Sequence, residues 1–241
     1  MFPLCRIALI AGLAATAGAA WAADLRCQAQ RGAQAPAIVE LYTSEGCSSC
    51  PPADRWLSGL RGHDDVVALS FHVNYWNHLG WRDPFATAAT TARQYRLAER
   101  LGARQVYTPQ VVLNGRDHRG WPGQSAAQLQ PLPGPAPALR VWREGGDLLA
   151  EVAGGQGELA GYWAVLLDDV SNRVTAGENA GEQLRHDHVV AHYQPVVPWR
   201  GAQPHTERWH LPLREPHRVA FVVTDPTLTR PIQAVVLNCP S

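Results

Sequence analysis

Two hydrophobic patterns divide the chain. Up to about residue 130, apolar runs of strand length alternate with stretches of helical period; beyond residue 137, short alternating segments separated by turn residues take over. Residues 37–42 (AIVELY) predict a first strand. Residues 51–60 follow with Trp56, Leu57 and Leu60 at helical spacing. Pro51 and Pro52 fall in the first turn of that helix, where backbone N–H groups lack helical partners. Residues 66–73 (VVALSFHV) are mostly apolar, which suits a strand in a sheet covered on both faces. An aromatic loop, 74–85, carries Tyr75, Trp76, His78, Trp81 and Phe85. Asp83-Pro84 predicts a helix start, with Asp as cap and Pro at the first position, and that helix runs to about Leu101 before Gly102. Residues 106–113 predict a third strand, Asn114-Gly115 a hairpin turn, 116–121 a returning strand and 124–129 a short helix.

The resulting order, β-α-β-α-β-β-α, requires a right-handed crossover between the first two strands and gives this half an α/β character. The run PLPGPAP at 131–137 favours extended linker geometry. Beyond it, residues 139–152 read as a hairpin turning at Gly145-Gly146. Residues 162–167, 184–193, 207–213, 218–224 and 231–237 read as further strands. Their regular spacing suggests an antiparallel β-sandwich-like second domain. The expected organisation is an export signal at 1–22, an α/β domain at 23–130, a linker at 131–137 and a β-rich domain at 138–241.

Composition adds compartment and redox state. Arg6, the apolar stretch 7–20 and Ala20-Trp21-Ala22 fit a cleaved secretion signal. That stretch is shorter than the roughly 20 residues a spanning helix needs. A periplasmic or secreted protein with no membrane span after cleavage is therefore expected. Twenty-one basic and 21 acidic residues balance, which argues against a nucleic-acid partner. No lysine is present, so a lysine nucleophile is excluded. Of five cysteines, Cys5 leaves with the signal. The remaining four suggest two bridges in an oxidising compartment. Cys47 and Cys50 form the local pair; Cys27 and Cys239, at the two ends of the mature chain, are expected to form a structural disulfide. A loop that long stabilises by a few kcal/mol in the chain-entropy picture.

Cys47-Ser48-Ser49-Cys50 carries the clearest chemistry. A helix N-terminus stabilises a thiolate at Cys47, which attacks, and Cys50 resolves. A four-thiolate zinc site would need a second close cysteine pair, and none exists. Glu45 opposes thiolate formation if its charge lies nearby. Tyr75, Trp76, His78 and Trp81 follow the second strand, whose end would lie near the CxxC. They read either as a platform for substrate or as a small satellite core. His186, His188 and His192 alternate on the predicted strand 184–193 and share a face there. A polar sheet face is favoured over a metal site. Gly177-Glu178-Asn179 reads as a shaped turn. The sequence asks for no cofactor and no metal.

Cys47-Ser48-Ser49-Cys50 after the first strand and Thr108-Pro109 before the third together resemble thioredoxin-like oxidoreductases. That resemblance implies a thioredoxin-like fold, a cis Pro109 facing the disulfide, and a Thr108-Pro109 loop that pairs with an extended substrate segment. Gly46 departs from the tryptophan that thioredoxins place before the first cysteine. Residues 39–54 (VELYTSEGCSSCPPAD), Tyr75-Trp76, the segment 80–85 (GWRDPF), the segment 107–110 (YTPQ) and Gly177-Glu178-Asn179 are similar to the secreted thioredoxin-like family known as domain of unknown function twelve-twenty-three (DUF1223). An exported thiol–disulfide oxidoreductase is implied, with protein thiols or a redox partner protein as its counterpart. Tyr75, Trp76, Trp81, Thr108 and Pro109 would lie beside the substrate. Two alternatives stay open. A copper-handling module would use the same soft thiolates with His78. A non-catalytic interaction protein would keep the CxxC as a staple and use its β-rich half as a surface.

Overall fold

The computed structural model describes residues 27–211 and 218–239; the expected export signal lies outside them. The elements are β1 (Gln28–Arg31), β2 (Ala37–Thr43), α1 (Pro51–Ser58), β3 (Val66–His72), α2 (Ala88–Arg100), β4 (Gln110–Leu113), β5 (Arg116–Asp117), β6 (Ala138–Glu144), β7 (Asp147–Ala153), β8 (Glu158–Leu167), β9 (Val170–Arg173), β10 (Gln183–His186), β11 (Val189–Arg200), β12 (His205–His210), β13 (Arg218–Thr224) and β14 (Pro231–Asn238). Single 3-10 turns lie at Asn77–Leu79 and Ala126–Gln128. The protein as a whole is therefore mostly β-sheet with few helices, while residues 37–117 keep the expected β-α-β-α-β-β order. No described helix is long and apolar enough to cross a membrane.

One eight-stranded sheet runs through both halves in the order β14-β13-β8-β11-β3-β2-β4-β5. β2 and β3 are parallel along seven residue pairs, from Ala37–Val66 to Thr43–His72. β11 joins β3 in parallel at Val189–Ser70 and runs antiparallel to β8. A four-stranded sheet, β1-β6-β7-β12, and a two-stranded ribbon, β9-β10, complete the β structure. The sandwich expected for residues 138–241 forms only in part, because its second layer is the shared sheet. The Pro-rich run 131–137 does not separate two sheets: β1 pairs with β6 across it, and β11 with β3.

Strand alternation sorts the core into layers. On β2, Ile38 and Tyr42 face one side, where Val67, Leu69 and Phe71 of β3, Leu97 of α2 and Tyr162, Ala164 and Leu166 of β8 meet them. On the other side Ala37, Val39 and Leu41 meet Ala53 and Leu57 of α1. Further along that second face, Trp163, Phe221, Val223 and Val235 pack against Val141, Ala150 and Val152 of the small sheet. Helix α1 and the small sheet thus cover one face of the long sheet, and α2 packs on the other.

Three expected boundaries move. Helix α2 starts at Ala88, capped by Thr87, whose hydroxyl accepts from Thr90 N at 3.0 Å while Thr87 N donates back to Thr90 Oγ1. Asp83 does not cap it. Its Oδ1 accepts from Phe85 N in a local turn, and its Oδ2 is committed to the site described below. The third strand begins at Gln110, after Thr108-Pro109, and the returning strand is confined to Arg116–Asp117.

A charged pair is buried between α2 and the sheet. Arg93 donates to Glu40 Oε1, which also accepts from Tyr162 Oη at 3.0 Å; Tyr42 Oη donates to Glu40 Oε2 at 3.1 Å. The guanidinium lies 4.5 Å from the Tyr162 ring centroid and 5.1 Å from that of Phe71. Both partners are shut off from water. Removing one partner of a buried pair strands the other, at a cost of about 3–5 kcal/mol. Arg93→Ala is therefore expected to lower unfolding free energy by about 4 kcal/mol in urea titrations; a loss below about 1 kcal/mol would contradict this pairing.

Candidate functional site

The end of β2 turns sharply into α1. Cys47 N donates to Ser44 O at 3.1 Å and Cys50 N to Cys47 O at 3.1 Å. Cys50 is the N-cap of α1, its carbonyl accepting from Ala53 N and Asp54 N. Cys47 is bonded to Cys50, and Cys27 to Cys239. Cys47 and Cys50 are each 0% exposed, while Ser48 and Ser49 between them face solvent.

Glu45, two residues before Cys47, is also 0% exposed. A carboxylate cut off from water must be hydrogen-bonded. Its Oε2 accepts from Trp81 Nε1 at 2.8 Å, and its Oε1 from Asn172 Nδ2 at 2.8 Å and His186 Nε2 at 3.2 Å. Its backbone N–H donates to Asp83 Oδ2 at 2.8 Å. The same oxygen accepts from His72 Nδ1 at 2.7 Å. Burial alone would raise the Asp83 pKa; the neighbouring His72 and the two backbone donors outweigh it and hold that pKa below the usual carboxylate value.

The turn that precedes β10 closes over the CxxC loop. Asn179 Nδ2 donates to Glu45 O at 2.8 Å and to Cys47 O at 3.0 Å. Glu178 Oε2 accepts from Ser48 N at 2.9 Å and from Ser48 Oγ at 2.8 Å, which lowers the Glu178 pKa. Gly177 takes φ +75°, which a glycine adopts without cost. The segment 177–179 is thus a turn and also a clamp, a role that its sequence alone did not convey.

The aromatic loop is drawn inward by hydrogen bonds. Trp76 packs against Gly46, where an added Cβ would lie 2.9 Å from Trp76 Cβ; this is why glycine, and no larger residue, precedes Cys47. Trp76 Nε1 donates to Thr108 Oγ1 at 2.7 Å. The Thr108–Pro109 peptide bond is cis. Tyr75 Oη donates to Gln94 Oε1 at 3.2 Å. Tyr75, Trp76, Trp81, Thr108 and Pro109 are all half-buried. The structure therefore links Trp76, Thr108 and Trp81 to the CxxC turn, while exposed His78 bonds only the Tyr75 carbonyl, at 2.6 Å.

The three histidines of 184–193 do not share a face, because the predicted strand breaks between β10 and β11. His188 sits in that break with φ +58°. It is buried beside Arg218, its backbone N–H donating to Asp168 Oδ1 at 2.9 Å. His192 is exposed on β11. His186 is buried against Glu45 and lies 3.7 Å from Asp54 Oδ1, ion-pair range but longer than a hydrogen bond. Burial would lower its pKa, but Asp54 and Glu45 prevail and push it up to about 10. Asp54 Oδ2 accepts from Thr43 Oγ1 at 3.0 Å. The site roles of Asp54, His72, Asp83, Asn172 and Asn179 do not show in the sequence pattern. His72, a polar residue inside an otherwise apolar strand, was the available signal.

A family model described as "Protein of unknown function (DUF1223)" matches residues 38–224. A crystal structure of an Agrobacterium tumefaciens protein is similar over 86% of this chain and 96% of that one, with 29% identity and a TM-score of 0.68. HBP35 of Porphyromonas gingivalis is similar in fold over 86% of this chain and 76% of that one, with 14% identity and a TM-score of 0.54. No curated protein matches the chain.

Asn179→Ala removes both hydrogen bonds of the clamp to the Glu45–Cys47 turn. We expect a stability loss of about 1–3 kcal/mol and faster reduction of Cys47–Cys50 by dithiothreitol; an unchanged reduction rate would contradict the clamp. Burial pushes the Tyr75 pKa up to about 12. Since the folded pKa exceeds the unfolded value near 10, the Tyr75 contribution to stability is complete below pH 10 and is lost as pH rises through 12. Tyr75→Phe should flatten the alkaline loss of stability between those values in denaturation curves, and an unchanged slope would refute the assignment.

Proposed function

The chain belongs to the DUF1223 family, whose description carries no activity, and from its own site we propose an exported thioredoxin-like thiol–disulfide exchange protein acting on protein thiols. The observation that carries this reading is the closed Cys47–Cys50 disulfide at the first turn of α1, directly after the parallel strand β2. The helix N-terminus favours a thiolate at this position. The local arrangement of β2, α1 and β3, with antiparallel β4 beside β2 and Thr108-Pro109 before it, supports a thioredoxin-like core.

Exchange balances as two displacements. In the reduced protein, the Cys47 thiolate attacks a substrate disulfide, forming a Cys47–substrate bond and releasing one substrate thiolate. Cys50 then attacks Cys47 Sγ, closing Cys47–Cys50 and releasing the second thiolate. Two electrons pass to the substrate, and a dithiol partner returns the pair by the reverse sequence. The Glu45 carboxylate is engaged by Trp81, Asn172 and His186, which limits its opposition to the thiolate. Because both cysteines are buried, exchange requires the CxxC loop to be uncovered, and release of the clamp at Glu178 and Asn179 is the step we assign to this.

The same burial favours a second reading, a structural staple that never turns over. Cys50→Ser separates the two. With only Cys47 free in the loop, the native variant should capture a peptide activated as a mixed disulfide at least tenfold faster than the same variant with Cys47 alkylated, read by mass spectrometry. Capture only after unfolding would leave the staple.

A further inference from the structure

Beneath the CxxC turn, three side chains converge from three elements. Asp54 lies in α1, His72 ends β3 and His186 ends β10. One ligand atom from each lies within 4.8 Å of the others, and the residues are 6%, 0% and 2% exposed. On both histidines, one ring nitrogen is fixed by a carboxylate: His72 Nδ1 donates to Asp83 Oδ2 at 2.7 Å and His186 Nε2 to Glu45 Oε1 at 3.2 Å. The remaining nitrogens, His72 Nε2 and His186 Nδ1, are buried and have no hydrogen-bond partner among the described residues. On Asp54, Oδ2 is occupied by Thr43 Oγ1, while Oδ1 lies 3.7 Å from His186 Nδ1.

This is the pattern of a metal site with its supporting shell in place. Metal-bound histidines donate their second nitrogen to a carboxylate, which sets the tautomer and ring orientation; at His186 the incoming ion would take the place of the Nδ1 proton that faces Asp54. We propose that Asp54, His72 and His186 bind one first-row divalent transition ion, of which zinc is the type, as a two-histidine, one-carboxylate set. Imidazole and carboxylate ligands suit such ions, and three protein ligands leave one position open. The imidazole rings have centroids 4.9 Å apart at 83°. Two imidazoles bound at about 2.0–2.1 Å to one tetrahedral ion would place their centroids roughly 5 Å apart. Ligand atoms on such an ion would be roughly 3.4 Å apart, so binding draws the three groups together from a spacing of up to 4.8 Å. Charge points the same way: Glu45, Asp54 and Asp83 bring three buried carboxyl groups to two imidazoles. The proposal is independent of the redox reading, because none of its ligands is a thiol.

The test uses the chelator-treated protein with both disulfides closed, a thiol assay having shown no free cysteine. Zinc titration followed by desalting and elemental analysis should find one ion per chain. Cobalt in its place should give the visible absorption of a low-coordinate N/O site without a thiolate band, and zinc should raise the thermal midpoint where magnesium does not. Asp54→Asn should weaken zinc binding at least tenfold, and the exposed-site variant His192→Ala should not change it. The metal-free midpoint of each variant, measured in parallel, shows whether it is folded; if Asp54→Asn is not, Thr43→Val, which removes the hydrogen bond that orients the Asp54 carboxylate, takes its place with the same expectation. A folded wild-type protein that retains no zinc, or a folded variant at Asp54 or Thr43 that binds it undiminished, would overturn the proposal.

Discussion

A fully buried carboxylate one turn ahead of a disulfide constrains everything around it. Glu45 can stay buried only if donors reach it, and they come from distant parts of the chain: Trp81 from the aromatic loop, Asn172 from β9 and His186 from β10. Its backbone is held as well, by Asp83 below and Asn179 above. The CxxC turn is therefore not a free loop on an N-terminal domain. It is embedded in contacts from the second half of the chain, and separating the halves would strand a charge.

The long sheet makes that embedding possible. Because β11 joins β3, the ribbon β9-β10 emerges beside the C-terminal ends of β2 and β3, where the CxxC turn lies. Strand alternation then assigns the polar residues to faces. Glu40 shares its face with Ile38 and Tyr42 and meets Arg93 of α2. Thr43 points with Val39 and Leu41 toward α1 and meets Asp54. His72, in step with Val66 and Ala68, joins it there. Two buried polar clusters thus lie on opposite faces of the sheet at β2, one bracing α2 and one beside the CxxC turn.

Much of this was legible in the sequence at short range. The runs at 37–42 and 66–73, the prolines that open α1, and the hairpin at Gly145-Gly146 all follow from local period and turn chemistry. What failed to show was decided at long range. Asp83 has the form of a helix cap, but a buried backbone N–H and His72 compete for its carboxylate and win, so Thr87 caps the helix instead. His186, His188 and His192 fit one alternating strand until His188 adopts a left-handed backbone and sends them to three environments. The split into two domains looked natural from the prolines at 131–137, yet strand pairing passes across them, which no local pattern encodes. Glu45 could be named as a neighbour of Cys47, but not as a buried hub, because its donors lie at 81, 172 and 186.

Function turns on the exchangeability of a buried disulfide at a helix N-terminus. The helix favours the thiolate, whereas burial and the clamp restrict access to it. A purely structural bond would be resistant to the glutathione pool, and a working one would be poised within reach of cellular dithiols. The most direct measurement is the equilibrium reduction potential of Cys47–Cys50, read by alkylation and mass spectrometry in glutathione buffers. An exchanging pair should give a value between about −120 and about −270 mV; a value below about −300 mV would mean the bond is a staple.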